Sequence, residues 1–267
     1  MTGDAAAMVE RSIRDQATHL LRQGVSNADV ARRLCVPSGT VAWWKHRDLA
    51  GRGTLPGRKR STCPRCFGDP LDGPAYCYLL GLYLGDGHIT HPVQHRSPAL
   101  SITCDDKWPG VTDSVERAMR VVLPRNRPCR VRRTGCHDVK VYSTHLVCHF
   151  PQHGPGKKHE RPVVLEPWQR ELADRHPWEL LRGLIHSDGC RITNRATRTV
   201  RGEVRRHEYP RYLFTNASPD IVRLFTDTLD AVGVPWKSNR RASGAVNVSI
   251  ARRAAVELLD AHVGPKD

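Results

Sequence analysis

Two aspartates, Asp86 and Asp188, end two look-alike segments, and their type and placement define the chemistry open to this chain. Leu79 to Gly87 reads LLGLYLGDG, and Leu181 to Gly189 reads LRGLIHSDG. Each is a short apolar helix pattern with small residues four apart: Gly81 and Gly85 in the first copy, Gly183 and Ser187 in the second. Small residues at that spacing let two helix backbones approach closely. Gly87 is expected to stop the first helix in a left-handed conformation. Asp86 would then sit at a helix C-terminus, the negative end of the macrodipole, where a carboxylate needs a compensating cation. Pairing the two helices through their small faces sets Asp86 beside Asp188. Two adjacent carboxylates require a shared proton or a divalent metal.

The elements that must position these residues also come twice. After the first segment, His88-Ile89-Thr90 and Ala99–Thr103 alternate as strands, and Val111–Val122 has helical spacing. Cys129–Arg133, a Thr134-Gly135 turn and Val139–Tyr142 then form a hairpin that puts Arg130 and Arg132 on one face. The second half repeats the order. Arg191-Ile192-Thr193 and Tyr209–Thr215 are strands, a helix capped by Ser218-Pro219 runs to Val232, Trp236–Arg240 and Val246–Ile250 form a hairpin, and Arg252–His262 is a last helix. Each half ends on a tight turn followed by lysine, Gly154-Pro155-Gly156-Lys157-Lys158 and Gly264-Pro265-Lys266. Lys158, with Lys157 as an alternative, and Lys266 thus hold matching places near the aspartates; were the ligand a phosphate, they would be the candidates for stabilising its charge.

Residues 10–47 read as a separate helical module. Asn27 or Ser26 caps one helix, Cys35-Val36-Pro37 breaks it, and Ser38 caps a second, with Val30, Ala31, Leu34, Val41 and Trp44 facing inward. This order resembles a helix-turn-helix, whose second helix would present Ser38, Thr40, Trp43, Lys45 and His46 to the major groove. Residues 48–62 read as a basic linker whose Arg58-Lys59-Arg60 would track phosphate. Cys63-Pro-Arg-Cys66 is half of a zinc site, with no second CxxC in the chain and Cys77 as the candidate third ligand. Free thiols are the alternative.

The chain of 267 residues carries a formal charge of +15, from 42 Lys+Arg against 27 Asp+Glu, which favours an anionic partner, nucleic acid being the usual one. No apolar run approaches the ~20 residues of a membrane span. Nine cysteines without a secretion signal suggest reduced thiols in the cytoplasm. Two four-stranded sheets splayed from the paired helices would leave bare faces lined by hairpin cations: Arg130, Arg132, Lys140, Arg191, Arg195, Arg198, Arg201, Arg205, Arg206, Lys237 and Arg240.

The paired segments resemble the signatures of the LAGLIDADG (DOD-type) homing endonucleases, over residues 75–266. The sixth signature position, often acidic in that family, is Leu84 in one copy and His186 in the other. The resemblance implies an α+β fold: two pseudo-symmetric αββαββα repeats, 75–165 and 166–267, forming a DNA-binding saddle. They follow a helix-turn-helix module at 1–50 and a basic linker with the CxxC at 51–74. It further implies that Asp86 and Asp188 each ligate Mg²⁺ or Mn²⁺ for hydrolysis of DNA, in a single chain acting as a pseudo-dimer. Neither terminus carries the residues of self-splicing, so an intein is not expected. The rival expectation is a transcription regulator that keeps the fold and binds DNA without cutting. An RNA-binding role would use the same basic surface.

Overall fold

The computed structural model describes residues 3–52, 63–68, 70–90, 97–200 and 203–267. The chain divides into two compact units, Met1–Arg60 and Ser61–Asp267. Most of the expected linker lies outside the described residues.

The first unit holds helices α1 (Gly3–Arg22), α2 (Asn27–Leu34) and α3 (Ser38–Gly51). Ser26 caps α2 by accepting the Asp29 N–H at 3.2 Å. Cys35, at φ 50°, takes the left-handed position that ends the helix, and Pro37 redirects the chain into α3. Ser38 does not cap that helix; the cap position falls on Pro37, which has no side chain able to accept, and Ser38 is the first helical residue. Ala17, Val30, Val41 and Trp44 form a small core of their own, with Ala31 and Leu34 packed against it. Ser38, Trp43, Lys45 and His46 are exposed and Thr40 is half-buried.

The second unit opens with α4 (Pro64–Phe67) and the first signature helix α5 (Gly73–Leu84). Then follow β1 (Gly87–Thr90), β2 (Ala99–Asp105), α6 (Pro109–Val122), β3 (Cys129–Arg133), β4 (Cys136–Tyr142) and α7 (Leu146–His149). The second half has α8 (Pro167–Arg175), the second signature helix α9 (Pro177–Asp188), β5 (Gly189–Val200), β6 (Glu203–Asn216), α10 (Pro219–Ala231), β7 (Lys237–Arg240), β8 (Val246–Ile250) and α11 (Arg253–His262). Both sheets are antiparallel, ordered β1-β2-β4-β3 and β5-β6-β8-β7. Two αββαββα repeats are present as the sequence suggests, the first closing on the single turn α7. Helix α8 was not anticipated; Pro167 starts it, and its Trp168 packs 5.2 Å from Tyr76.

One continuous core joins the repeats. Leu100, Ile102, Val139 and Val141 of one sheet, and Tyr212, Phe214, Val248 and Ile250 of the other, face the helices. The alternate residues face away. Helix α5 is apolar all round because it is buried all round: Tyr76 to Leu84 are all buried. It lies against α9 with almost no space between backbones. A methyl group on Gly81 would stand 2.7 Å from Leu180 O, and one on Gly183 only 2.2 Å from Tyr78 O. Gly87 is not a left-handed stop. It opens β1 with negative φ, and it is glycine because a Cβ there would meet Tyr83 Cα at 2.5 Å. Gly189 is likewise extended, at φ −108°, with Ile185 Cα 2.8 Å from its absent Cβ.

Two outcomes follow. Gly183→Ala drives a methyl into a backbone carbonyl that no rotamer change can move aside, so urea unfolding of the second unit should show a loss of about 3 kcal/mol. Because the two cores are separate, residues 61–267 alone should unfold in one cooperative transition by circular dichroism, with the melting point of the full chain's second unit.

Candidate active site

The C-terminal turns of α5 and α9 meet at their small residues. At Gly85 a Cβ would overlap Ser187 Oγ, at 2.1 Å, and would lie 3.1 Å from Asp188 Oδ2. Ser187 Oγ lies 3.0 Å from Gly183 O and from Leu184 O in its own helix and 3.5 Å from Gly81 O of α5, so carbonyls of both helices compete for its one proton. This contact brings Asp188 to the start of the segment carrying Asp86. Both aspartates line one open cleft of about 1000 Å³, walled by His88 of β1, by Thr215 and Asn216 of β6, and by the loop containing Lys158.

The cations predicted by the macrodipole argument are in place. Lys158 Nζ donates to the carbonyls of Tyr83, Leu84 (3.0 Å) and Gly85 (2.6 Å), so all three of its donors cap the end of α5. Lys266 Nζ donates to Ser187 O at 2.9 Å, at the matching end of α9. Gly156 and Gly264, at φ 78° and 73°, make the left-handed turns that aim these lysines. Lys157 is not interchangeable with Lys158. It is exposed and pairs with Glu160 at 3.4 Å.

The electrostatics follow from enclosure. Asp86 keeps solvent access, yet the cleft walls desolvate its carboxyl and raise its pKa, against the pull of Lys266 and Lys158. Asp188 is pushed up to about 6, by burial first and by the Asp86 charge second, while the Asn216 amide, 2.6 Å away, and the two lysines oppose the shift. Burial takes Lys158 down to about 8, with Asp188 and Asp86 acting to hold its proton. Burial also lowers Lys266, against Asp86. A carboxylate pair with raised pKa values is short of positive charge, and its oxygens are hard ligands. The residues present fit a divalent cation of the Mg²⁺ type.

No protein-family model matches the chain, and no curated protein is similar to it in sequence at a significant level. Solved structures do match. The homing endonuclease I-DmoI in complex with DNA and Mn superposes with a TM-score of 0.50 at 14% identity, covering 72% of this chain and 97% of that one. The LAGLIDADG meganuclease I-AabMI bound to uncleaved DNA gives 0.47 at 12%, covering 70% and 82%. The N-terminal LAGLIDADG domain of DUF199/WhiA gives 0.45 at 10%, covering 79% and 96%. The chain has the LAGLIDADG fold.

Within this LAGLIDADG fold the sheet register sorts the candidate cations. Lys140 stands opposite Ser101 and Lys237 opposite Ser249, both on the faces turned away from the helices. Arg130 does not share that face. It pairs with Val139, a core residue, and is held by Asp113 (2.6 Å) and Glu116 (2.7 Å) of α6; Arg132 has the same parity. Arg191 is likewise turned to the helix side, bound by both oxygens of Asp260 of α11 at 2.7 and 2.9 Å. Arg195 pairs with Glu208 at 2.9 Å on that side of the ladder, and Arg206 and Arg240 share its parity. The expectation that these six line the bare faces is therefore corrected. They sit at odd steps from the outward positions, and carboxylates across the strand or on the helices hold three of them. Arg198 and Arg205 stand opposite each other in the β5–β6 ladder; their side chains, and Arg201 altogether, lie outside the described residues.

Sequence reading passed over residues that the fold brings into play. Arg133 is one: beside the expected Lys140, it flanks the buried Asp138 on the outward face, the two at 2.5 and 3.4 Å, and Thr103 donates to the same carboxylate. Arg211 lies outward on β6, opposite Ile192. Asn216 orients Asp188 and also accepts the Ser218 N–H, so in the sequence it reads as an ordinary residue before a helix cap. By register, the place of Asn216 in the first sheet falls to Cys104, so the two half-sites differ chemically. His186 is buried and its Nδ1 meets Tyr78 OH at 3.0 Å; it serves packing at the helix interface. Cys77, the expected third zinc ligand, is fully buried within α5, apart from Cys63 and Cys66. No described helix is long and apolar enough to cross a membrane.

The raised Asp188 pKa sets a sign for stability. The folded state holds this proton up to about pH 6, whereas an unfolded aspartate loses it near pH 4, so stability is lost as pH rises through that window. Asp188→Asn should stabilise the chain by about 1–3 kcal/mol at pH 8 in chelator, with the gain vanishing below about pH 4. Urea titrations at the two pH values check both the sign and the window.

Proposed function

We propose that this protein is a metal-dependent, site-specific double-strand DNA endonuclease of the LAGLIDADG homing type. The observation that carries this reading is the meeting of Asp86, Asp188, Lys158 and Lys266 at the ends of two interlocked helices in an open cleft. Asp86 and Asp188 would hold Mg²⁺ or Mn²⁺. When bound, the metal would supply Lewis-acid polarisation of a scissile phosphate and a lowered pKa for water. Asn216 holds the Asp188 carboxylate in one orientation. Lys158 has its three donors committed, so it acts on phosphate through its charge rather than by hydrogen bonding. Lys266 stands at the matching place in the second repeat and supplies the second charge.

Duplex DNA is the substrate best matched to a chain of charge +15. Lys140, Arg133, Lys237 and Arg211 would meet it from the outward sheet faces, and Ser38, Thr40 and Lys45 from α3 of the front unit. Similarity to a DNA-bound homing endonuclease supports the assignment. Two signature helices in one chain supply both carboxylates, so the acting unit is a monomer.

One observation favours a second reading, a DNA-binding regulator without cleavage. The front three-helix unit has its own core and an exposed face on α3, which would let it bind DNA without the cleft. Cleavage assays decide between the two. A DNA fragment that the full chain footprints should be cut on both strands with Mg²⁺ and left intact with chelator. Asp86→Asn or Asp188→Asn should slow cutting by about a hundredfold or more while binding persists. A footprinted fragment left uncut with both Mg²⁺ and Mn²⁺ would establish the regulator reading instead.

A further inference from the structure

Beside the cleft, four soft ligands from distant parts of the chain converge. Cys63 precedes α4 and Cys66 lies within it; His145 precedes α7 and Cys148 lies within it. Both pairs have two residues between them and both are closed by the same backbone bond. The Cys66 N–H donates to Cys63 O at 3.1 Å, and the Cys148 N–H donates to His145 O at 3.0 Å. Cys66 Sγ lies 3.5 Å from Cys148 Sγ and 3.4 Å from His145 Nδ1, and Cys148 Sγ lies 3.7 Å from the same nitrogen. One ligand atom from each of the four residues lies within 4.8 Å of every other.

A tetrahedral ion with Zn–S of about 2.3 Å and Zn–N of about 2.0 Å spaces its ligands about 3.5–3.8 Å apart. The three spacings among Cys66, His145 and Cys148 match such a tetrahedron, and Cys63 Sγ stands within 4.8 Å of each as its fourth corner. Thiols are weak donors and acceptors, so hydrogen bonding among them gives little reason for this convergence. We infer that Cys63, Cys66, His145 and Cys148 bind one structural Zn²⁺. Three sulfur ligands and one nitrogen select a soft or borderline ion over Mg²⁺, and four protein ligands leave no open position for catalysis. Behind the set, His149 Nε2 stands 3.9 Å from Cys63 Sγ as an outer partner.

The ion would tie the first residues of the second unit to a wall of the cleft. Helix α7 carries Val147, which lines the cleft, and His149, whose carbonyl accepts from Tyr76 OH of α5 at 2.7 Å. The next residue, Phe150, packs 4.6 Å from the Tyr83 ring. The site therefore braces α5 from the side away from α9, and this role does not depend on the nuclease assignment.

The full chain, purified without a polyhistidine tag from zinc-supplemented cells, should contain about one zinc per chain by plasma mass spectrometry. Cys66→Ser and Cys148→Ser should lose it, and Cys129→Ser, a thiol outside the cluster, should keep it. Since ligand variants can fail to fold, the wild-type chain supplies a second measurement. After removal of metal under reducing conditions, Co²⁺ should restore the melting temperature and produce thiolate charge-transfer and tetrahedral ligand-field absorption. A metal-free purified protein that takes up no Co²⁺, or whose Cys66 and Cys148 are recovered as a disulfide in zinc-replete cells, overturns the proposal.

Discussion

The backbone contact between α5 and α9 is the constraint on which the rest of the second unit depends. Gly81 and Gly183 leave no room for even a methyl group, so the two helices touch main chain to main chain. That separation places the C-terminal turns side by side, and with them Asp86 and Asp188. Opposing forces then gather at one point. The carbonyl ends of two helices and two carboxylates all concentrate negative charge there. Lys158 and Lys266 answer it by donating to the last carbonyls of α5 and α9. The lysines are thus structural before they are anything else, and the site is assembled by the same bonds that end the helices.

This arrangement leaves a residual frustration. Desolvation raises the pKa of both aspartates, and Asp188 also feels its neighbour's charge. Lysine compensates the pair only in part, since the pKa values stay raised despite Lys158 and Lys266. The two halves do not share the burden equally. Asn216 steadies Asp188, whereas Cys104 occupies the corresponding place near Asp86, so the repeat symmetry of the backbone is broken at the level of chemistry.

The sheets show how strongly parity governs function in an αββαββα repeat. Each strand has one face committed to the core, and a shift of one residue moves a cation from the open surface to the helix layer. Arg191 and Arg130 are drawn into ion pairs with α11 and α6, where they stabilise packing between layers. The outward faces instead hold Lys140, Arg133, Lys237 and Arg211. The buried Asp138 organises two of them, so the basic surface has an internal scaffold.

Much of this was legible in the residues. The duplicated LLGLYLGDG and LRGLIHSDG segments, the glycine spacing, the strand alternation and the turn-plus-lysine endings are local patterns, and local patterns survive without tertiary context. They determined the repeat, the pairing of the helices and the proximity of the aspartates, and they pointed to Lys158 and Lys266, which the fold sets at the ends of the two signature helices. Tertiary structure decided what depends on the other side of a contact. Along the chain Gly87 reads as a conformational stop, yet it is glycine because Tyr83 crowds it, and crowding is invisible in the sequence. Strand alternation puts Arg130 and Arg132 on one face, but only the seating of α6 shows which face that is. Cys63 and Cys66 read along the chain as half of a zinc site, and the fold sets them in a cluster of four. Its other half, His145 and Cys148, lies 82 positions beyond Cys66 at the far end and has no CxxC to signal it, so only the folded chain could bring the four together.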